Sequence, residues 1–450
     1  MLTQPKPTEP ARELPRAIGY IGSTAIVIGT IIGSGIFLVP HDVAQQVGSV
    51  DLLLLVWLIG GVLSLAGALS LAELGAANPA AGGIYVYLRE AYGKLFAFLY
   101  GWALLLVINS GSLATLAVAF GIYSTTFVPL SALQQKSVAS AVIIFLTLVN
   151  ILGVRKAAAV QTLFSLAKLA GLATIMGAAL FSSHIVPAQA TGPWHGPQTT
   201  ASALGVAMIG VLWAYEGWHM LSFAAGEVKN PSRVLPRSYL IGTLVVVAVY
   251  LGANLAYLRV LPLPALASYQ RVAAKTMEIL AGPRGATFVS ALILCSIFGA
   301  LNGTVLGGPR AYFAMARDGV MFPSVGRVHP RYATPAAALL IQGGWSILLA
   351  ATGSYKQLYT YVIFTGWLFY AAAAFAVIIL RRKRPGMARP YRVWGYPVVP
   401  LAFSAAALVI VGSALVRSPL ESGIGQALVL SGVPVFLMWK RKAKEEVSRQ

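Results

Sequence analysis

Apolar runs of spanning length constrain this chain more than any single residue does. Twelve of them recur along its 450 residues, at roughly 17–40, 51–74, 95–127, 137–153, 157–182, 202–226, 237–260, 287–316, 335–353, 358–380, 397–416 and 424–439. The hydrocarbon core of a bilayer is about 30 Å thick and takes about 20 helical residues to cross. In that solvent each segment must satisfy its own backbone polar groups, so the runs read as helices. Composition agrees, with 58% of residues hydrophobic and 10% charged, against about 25% charged in soluble domains. The expected fold is an all-α membrane protein of twelve transmembrane helices, bathed in the lipid of the cell membrane. The polar, Pro-rich tail over 1–16 has no apolar core of a cleavable signal, so insertion through the chain's own helices is expected.

The net charge of +20 invites a nucleic-acid reading, but its distribution argues against one. With the N-terminus inside, 25 of the 33 Lys and Arg residues fall in the tails and alternate loops on that side. Seven fall outside (Lys136, Arg259, Arg271, Lys275, Arg284, Lys356 and Arg417), and Lys168 lies within a span. This is the positive-inside asymmetry, and it predicts both termini cytoplasmic, with a C-terminal tail over 440–450. A single cysteine, Cys295, rules out an intrachain disulfide. No phosphate loop, metal-ligand pair at helical spacing or nucleophile–base set is present in the sequence. No nucleic acid, metal, cofactor or enzymatic activity is therefore expected.

Two of the spans are interrupted. The first carries Ile28-Gly29-Thr30-Ile31-Ile32-Gly33-Ser34-Gly35-Ile36-Phe37, and the sixth carries Gly210-Val211-Leu212-Trp213-Ala214-Tyr215-Glu216-Gly217-Trp218-His219. Irregular backbone at membrane depth is tolerated only where it is buried in protein or lines a cavity. Matching interruptions in two halves are a sign of inverted repeats. The repeats would run over 17–182 and 202–380, with two further helices over 397–439. At about 1.5 Å per residue, Lys168 lies roughly 18 Å and Glu216 roughly 16 Å from the inner ends of their spans, and Ser34 roughly 12 Å from the outer end. All three converge near the midplane.

Each of these residues has a plain structural reading beside the functional one. The Gly33-Ser34-Gly35 break is either a close helix crossing through small residues or a carboxylate site. There, the N–H groups and positive dipole end of the second half-helix would face the anion. An ammonium near the bilayer centre costs about 2.5–3.5 kcal/mol, so Lys168 is either half of an ion pair or an organiser of the site. Glu216 either caps unwound backbone, accepts from a substrate ammonium or cationic side chain, carries a proton, or pairs with Lys168. Trp213 is a gate or a packing residue, His219 a cavity-facing polar group or a ligand, and Asn302 a helix-to-helix hydrogen bond or a substrate contact. Glu73 reads as structural. The apolar loop Pro79–Arg89 reads as a short interfacial helix or part of an inner gate, and 261–286 as an outer loop with short helices.

The chain resembles the amino acid–polyamine–organocation superfamily and, within it, the L-type amino acid transporters. The likeness rests on Gly29-Thr30-Ile31-Ile32-Gly33-Ser34-Gly35-Ile36-Phe37, Pro79-x-x-Gly82-Gly83-x-Tyr85-x-Tyr87-Leu88, Trp213-Ala214-Tyr215-Glu216-Gly217-Trp218 and Glu227-x-x-Asn230-Pro231-x-Arg233-x-Leu235-Pro236. It continues through Arg317-Asp318-Gly319, His329-Pro330-x-x-x-Thr334-Pro335 and Arg389-Pro390-Tyr391-x-Val393-Trp394-Gly395-Tyr396-Pro397. The resemblance implies a LeuT-like 5+5 inverted repeat with helices 1 and 6 broken, and transport by alternating access. It implies sodium-independent transport, typically exchange, of neutral L-amino acids. The alternatives are proton-coupled or cationic amino-acid uptake, or a sensor that binds without transporting. By the same resemblance the substrate carboxylate meets Ser34 and Gly35, and its ammonium meets the carbonyls of Ile31, Trp213, Ala214 and Glu216. Thr30, Gly33, Gly217 and His219 complete the binding set, with Trp213 as outer gate. Lys168 falls where the family places a lysine standing in for a sodium ion. Relatives often have Gly, Ala or Asp at the Glu216 position and some have Asn at His219, so both residues bear on specificity. Heteromeric members attach an ancillary subunit through a cysteine between helices 3 and 4. This chain has none there, so no disulfide-linked partner is expected.

Overall fold

The apolar runs fold as helices, and the sequence punctuates them where they end. The structure, a computed structural model, describes residues 16, 18–79, 82–152, 154–183, 200–332, 334–417 and 419–448. The expected N-terminal tail, apart from Arg16, lies outside these residues, as do Ala80 and Ala81 of the inner loop and 449–450 of the C-terminal tail.

In chain order the helices are α1 (Tyr20–Ile31), α2 (Gly35–Ala44), α3 (Val50–Ala77), α4 (Ile84–Tyr92), α5 (Lys94–Ala103), α6 (Asn109–Ser124), α7 (Ala132–Ile151), α8 (Val154–Phe181) and α9 (Ala201–Ala214). They continue with α10 (Met220–Phe223), α11 (Pro231–Val260), α12 (Leu263–Leu266), α13 (Val272–Arg317), α14 (Ala336–Thr352), α15 (Tyr355–Lys383), α16 (Val398–Arg417), α17 (Pro419–Leu430) and α18 (Gly432–Ser448). A π-helical turn over Leu104–Ile108 joins α5 to α6. Serines mark several starts: Ser49 accepts from the Leu52 N–H, and Ser131 with Gln134 and Ser354 with Gln357 close reciprocal capping boxes.

Among the described residues, nine helices are long and apolar enough to cross a membrane, and the pair α1–α2, bent by 40°, makes a tenth. The apolar helices α9 and α14 are shorter and fill two more of the twelve stretches. The chain is thus an all-helical, multi-pass membrane protein. As expected, the loop after α3 forms the short helix α4. The outer loop holds α12 and a helical stretch that kinks at Gly282 inside α13.

Lipid tails offer no hydrophobic drive to join helices, so tight packing and polar bonds must do it. Trp57, Tyr215 and Tyr250 form an aromatic knot between α3, the residues after α9, and α11, with ring centroids 5.0–6.0 Å apart. Ion pairs hold the end of the bundle where the basic residues gather. Glu73, 2% exposed, accepts from Nε and Nη2 of Arg381 at 2.8 Å each and from the Val393 N–H at 2.7 Å, which is the structural role read from sequence. Asp318 accepts from Arg89 at 2.6 Å and from the Tyr85 hydroxyl at 2.7 Å. Burial, and then this carboxylate, hold the Tyr85 phenol well above its ordinary pKa. Arg310 donates to Glu227 at 2.8 Å. The backbone of Ile18, leading into α1, pairs with Glu227 and Lys229, just past α10. The near ends of both interrupted spans are therefore tied to each other.

Candidate functional site

The two interruptions meet back to back. Residues 32–34 leave the helix after Ile31, and α2 restarts at Gly35. A Cβ on Gly35 would fall on the backbone of Ala214, so the segments touch where a side chain has no room. Gly217, in the turn between α9 and α10, has φ 114°, and a Cβ there would sit 2.6 Å from the Thr30 carbonyl oxygen. That conformation and that contact both demand glycine. Across the seam, the Thr30 hydroxyl lies 2.7 Å from the Ile26 carbonyl oxygen and 3.0 Å from that of Gly217.

Lys168, on α8 and 1% exposed, gives its ammonium to the carbonyls of Gly29 and Ile32 at 2.7 and 2.6 Å. A helix that stops mid-membrane leaves carbonyls without intrahelical partners at the negative end of its dipole. A cation held there answers both. The pairing with Glu216 that the sequence left open does not form.

Glu216 turns instead to α15. Its Oε1 accepts from the Tyr370 hydroxyl at 2.7 Å and lies 3.5 Å from His219 Nδ1, while Tyr370 lies 3.3 Å from His219 Nε2. Oε2 is buried without a hydrogen-bond partner. Beside this cluster lies a cavity lined by Thr30, Ile31, Gly33, Ser34, Gly35, Trp213, Glu216 and Gly217, together with Ser112, Leu116, Met220 and Thr304. Its free volume of about 20 Å³ suits a water or two rather than an amino acid.

Four expected residues stand off that wall. Ala214 has its carbonyl engaged by Tyr250, His219 lies behind Glu216, and Lys168 lies behind the α1 carbonyls. Asn302 accepts from Asn150 of α7 at 3.0 Å, which is the helix-to-helix reading.

Three tyrosines escaped the sequence reading. The Tyr250 hydroxyl reaches the carbonyls of Ile31 and Ala214 at 3.1 and 2.9 Å, one from each break. Tyr370 carries Glu216, and Tyr355 lies 3.1 Å from Ser34 and accepts from Trp213 at 2.9 Å. A tyrosine in an apolar run reads as packing, and nothing local says which carbonyl it reaches. The Ser112 and Thr304 hydroxyls donate to the carbonyls of Ile108 and Ala300, so each oxygen is left only to accept.

A broken helix pair around a buried cavity is found in more than one kind of membrane protein, so comparison with known proteins decides the family. The amino acid permease family profile matches residues 18–435. The chain belongs to the amino acid permease family. It is 34% identical to the serine/threonine exchanger SteT of Bacillus subtilis (strain 168), over 96% of this chain and 98% of that protein. It is 34% identical to the human large neutral amino acids transporter small subunit 2, covering 96% and 82%. With the mouse Asc-type amino acid transporter 1 it shares 33%, covering 96% and 83%. The permease's family and relatives are transporters of amino acids, exchangers among them, and not enzymes.

Proposed function

We propose that this permease is a sodium-independent exchanger of neutral L-amino acids, working by alternating access in the cell membrane. The observation that carries the reading is the Lys168 ammonium on the Gly29 and Ile32 carbonyls. A fixed charge there takes the place a coupling cation would need, so the cycle runs without sodium. On this reading the chain has twelve spans in a LeuT-like 5+5 repeat over 17–182 and 202–380, with two more helices over 397–439. The basic end faces the cytoplasm, together with both termini. Ser34 and the N–H groups opening α2 receive the substrate carboxylate, and the carbonyls around Ile31 and Trp213 receive the ammonium. Ser112, Thr304 and Glu216 Oε2 present acceptors to the side chain. That favours small residues bearing a hydroxyl, in keeping with the named substrates of the Bacillus exchanger. No disulfide-linked subunit is required.

Purified protein in liposomes loaded with L-serine should take up labelled L-serine with no sodium gradient. Equal uptake into empty liposomes would sink obligatory exchange, and dependence on sodium would sink the role of Lys168. The unpartnered Glu216 oxygen favours a second reading, proton-coupled or cationic uptake. Competition by arginine or lysine that exceeds competition by serine and alanine would establish the cationic version. Tight binding with no flux in either direction would make the protein a sensor.

A further inference from the structure

Tyr355 opens α15, and its hydroxyl joins both interrupted spans. It accepts from the Trp213 Nε1–H at 2.9 Å and shares a hydrogen bond with Ser34 Oγ at 3.1 Å. An indole N–H can only donate, so the phenol oxygen accepts there, while in the bond with Ser34 either hydroxyl can be the donor. One turn on, Tyr359 stacks against Trp213, ring centroids 6.2 Å apart, and donates to Asp42 of α2 at 3.0 Å. Ser34, Trp213 and Tyr355 are 0%, 5% and 6% exposed. The group lies toward the end of α2, where His41 Nδ1 comes within 3.4 Å of the Leu266 carbonyl of α12. The ion pairs around Glu73, Asp318 and Glu227 sit at the opposite end of the bundle.

We propose that Tyr355 bolts the gate on the side away from those ion pairs. Its hydroxyl holds Trp213 closed over the cavity and pins it to the first break. The gate opens when water replaces both bonds. Ser34 is also the proposed carboxylate contact, so substrate binding and gate closure act on one hydroxyl. The inference rests on the transporter reading above, with the basic end cytoplasmic. Tyr355→Phe keeps the ring and removes only the oxygen. The Trp213 N–H is then unpartnered in the closed form and hydrated in the open one. The equilibrium therefore moves toward opening by the factor for a buried donor left unsatisfied, roughly fivefold to a hundredfold.

The test uses Cys295→Ser with Ser112→Cys as reporter on the cavity wall, in intact cells treated with a membrane-impermeant, positively charged methanethiosulfonate. Tyr355→Phe should speed reporter modification roughly fivefold or more. In a Trp213→Phe background, where the donor is already lost, the same change should add less than twofold. An unchanged rate with a lowered melting temperature would mean a purely structural tyrosine, and would overturn the proposal. So would equal acceleration in both backgrounds. If Tyr355→Phe does not reach the membrane, Trp213→Phe alone must show the acceleration. Failure of both to fold would place the bond in the scaffold and also overturn the gate. The readout needs no flux, so a protein that proved to be a sensor would sink the transport reading and leave the bolt to be judged by its own rates.

Discussion

Gly217 has no substitute. Alanine there would adopt φ 114° against its preference and press a Cβ into the Thr30 carbonyl, 2.6 Å away. Backbone strain of this kind costs on the order of 1–3 kcal/mol, with the clash added. Gly217→Ala is expected to lower the melting temperature and to cut uptake per folded molecule tenfold or more; a normal melting curve with normal uptake would contradict the geometry. Lys168→Ala leaves the Gly29 and Ile32 carbonyls without their cation. Turnover is expected to fall tenfold or more, about 1.4 kcal/mol, while labelled substrate still binds. A loss of stability alone, with turnover per folded molecule intact, would reduce Lys168 to scaffolding. Both residues were legible in the sequence, one as a glycine in a polar interruption and one as a charge too deep to reach water. The tyrosines at 250, 355 and 370 were not. Their roles depend on which carbonyl, carboxylate or indole the folded chain brings within 3.1 Å, and helical periodicity carries no trace of that.

At the scale of elements, the sequence foretold where helices run better than what ties them. The interruption, read at 33–35 and found at 32–34, and the short helix after Pro79 follow from glycines placed where a continuous helix would suffer. The node around Glu73 was visible only as an acid at the end of a span. Its partners lie 308 and 320 positions away, on α15 and in the loop after it. Glu73 is 2% exposed and holds Arg381 with two hydrogen bonds while capping the Val393 N–H. Removing one side of a buried ion pair costs about 3–5 kcal/mol; Arg381 is part-exposed (20%), so the lower end applies. Glu73→Gln should therefore lower thermal stability by about 3 kcal/mol. Specificity in a competition panel should stay unaltered, because the node lies away from the cavity; an altered substrate ranking would show that it reaches the site.

For the whole molecule, the positive-inside asymmetry sets a testable orientation. In a Cys295→Ser background, a cysteine at Lys136 should react with an impermeant thiol reagent added to intact cells. A cysteine at Arg382 should react only after permeabilisation, and the reverse pattern would invert the topology. The cavity described above also has a kinetic corollary. With about 20 Å³ free, the form seen here admits no amino acid, so productive collisions occur only with the opened fraction. The association rate constant is then the encounter rate multiplied by that fraction, and apparent affinity scales the same way. Two permeases with identical contacts to one substrate can therefore differ in how tightly they hold it. A mutation remote from every ligand atom can retune uptake simply by changing how often the door stands ajar.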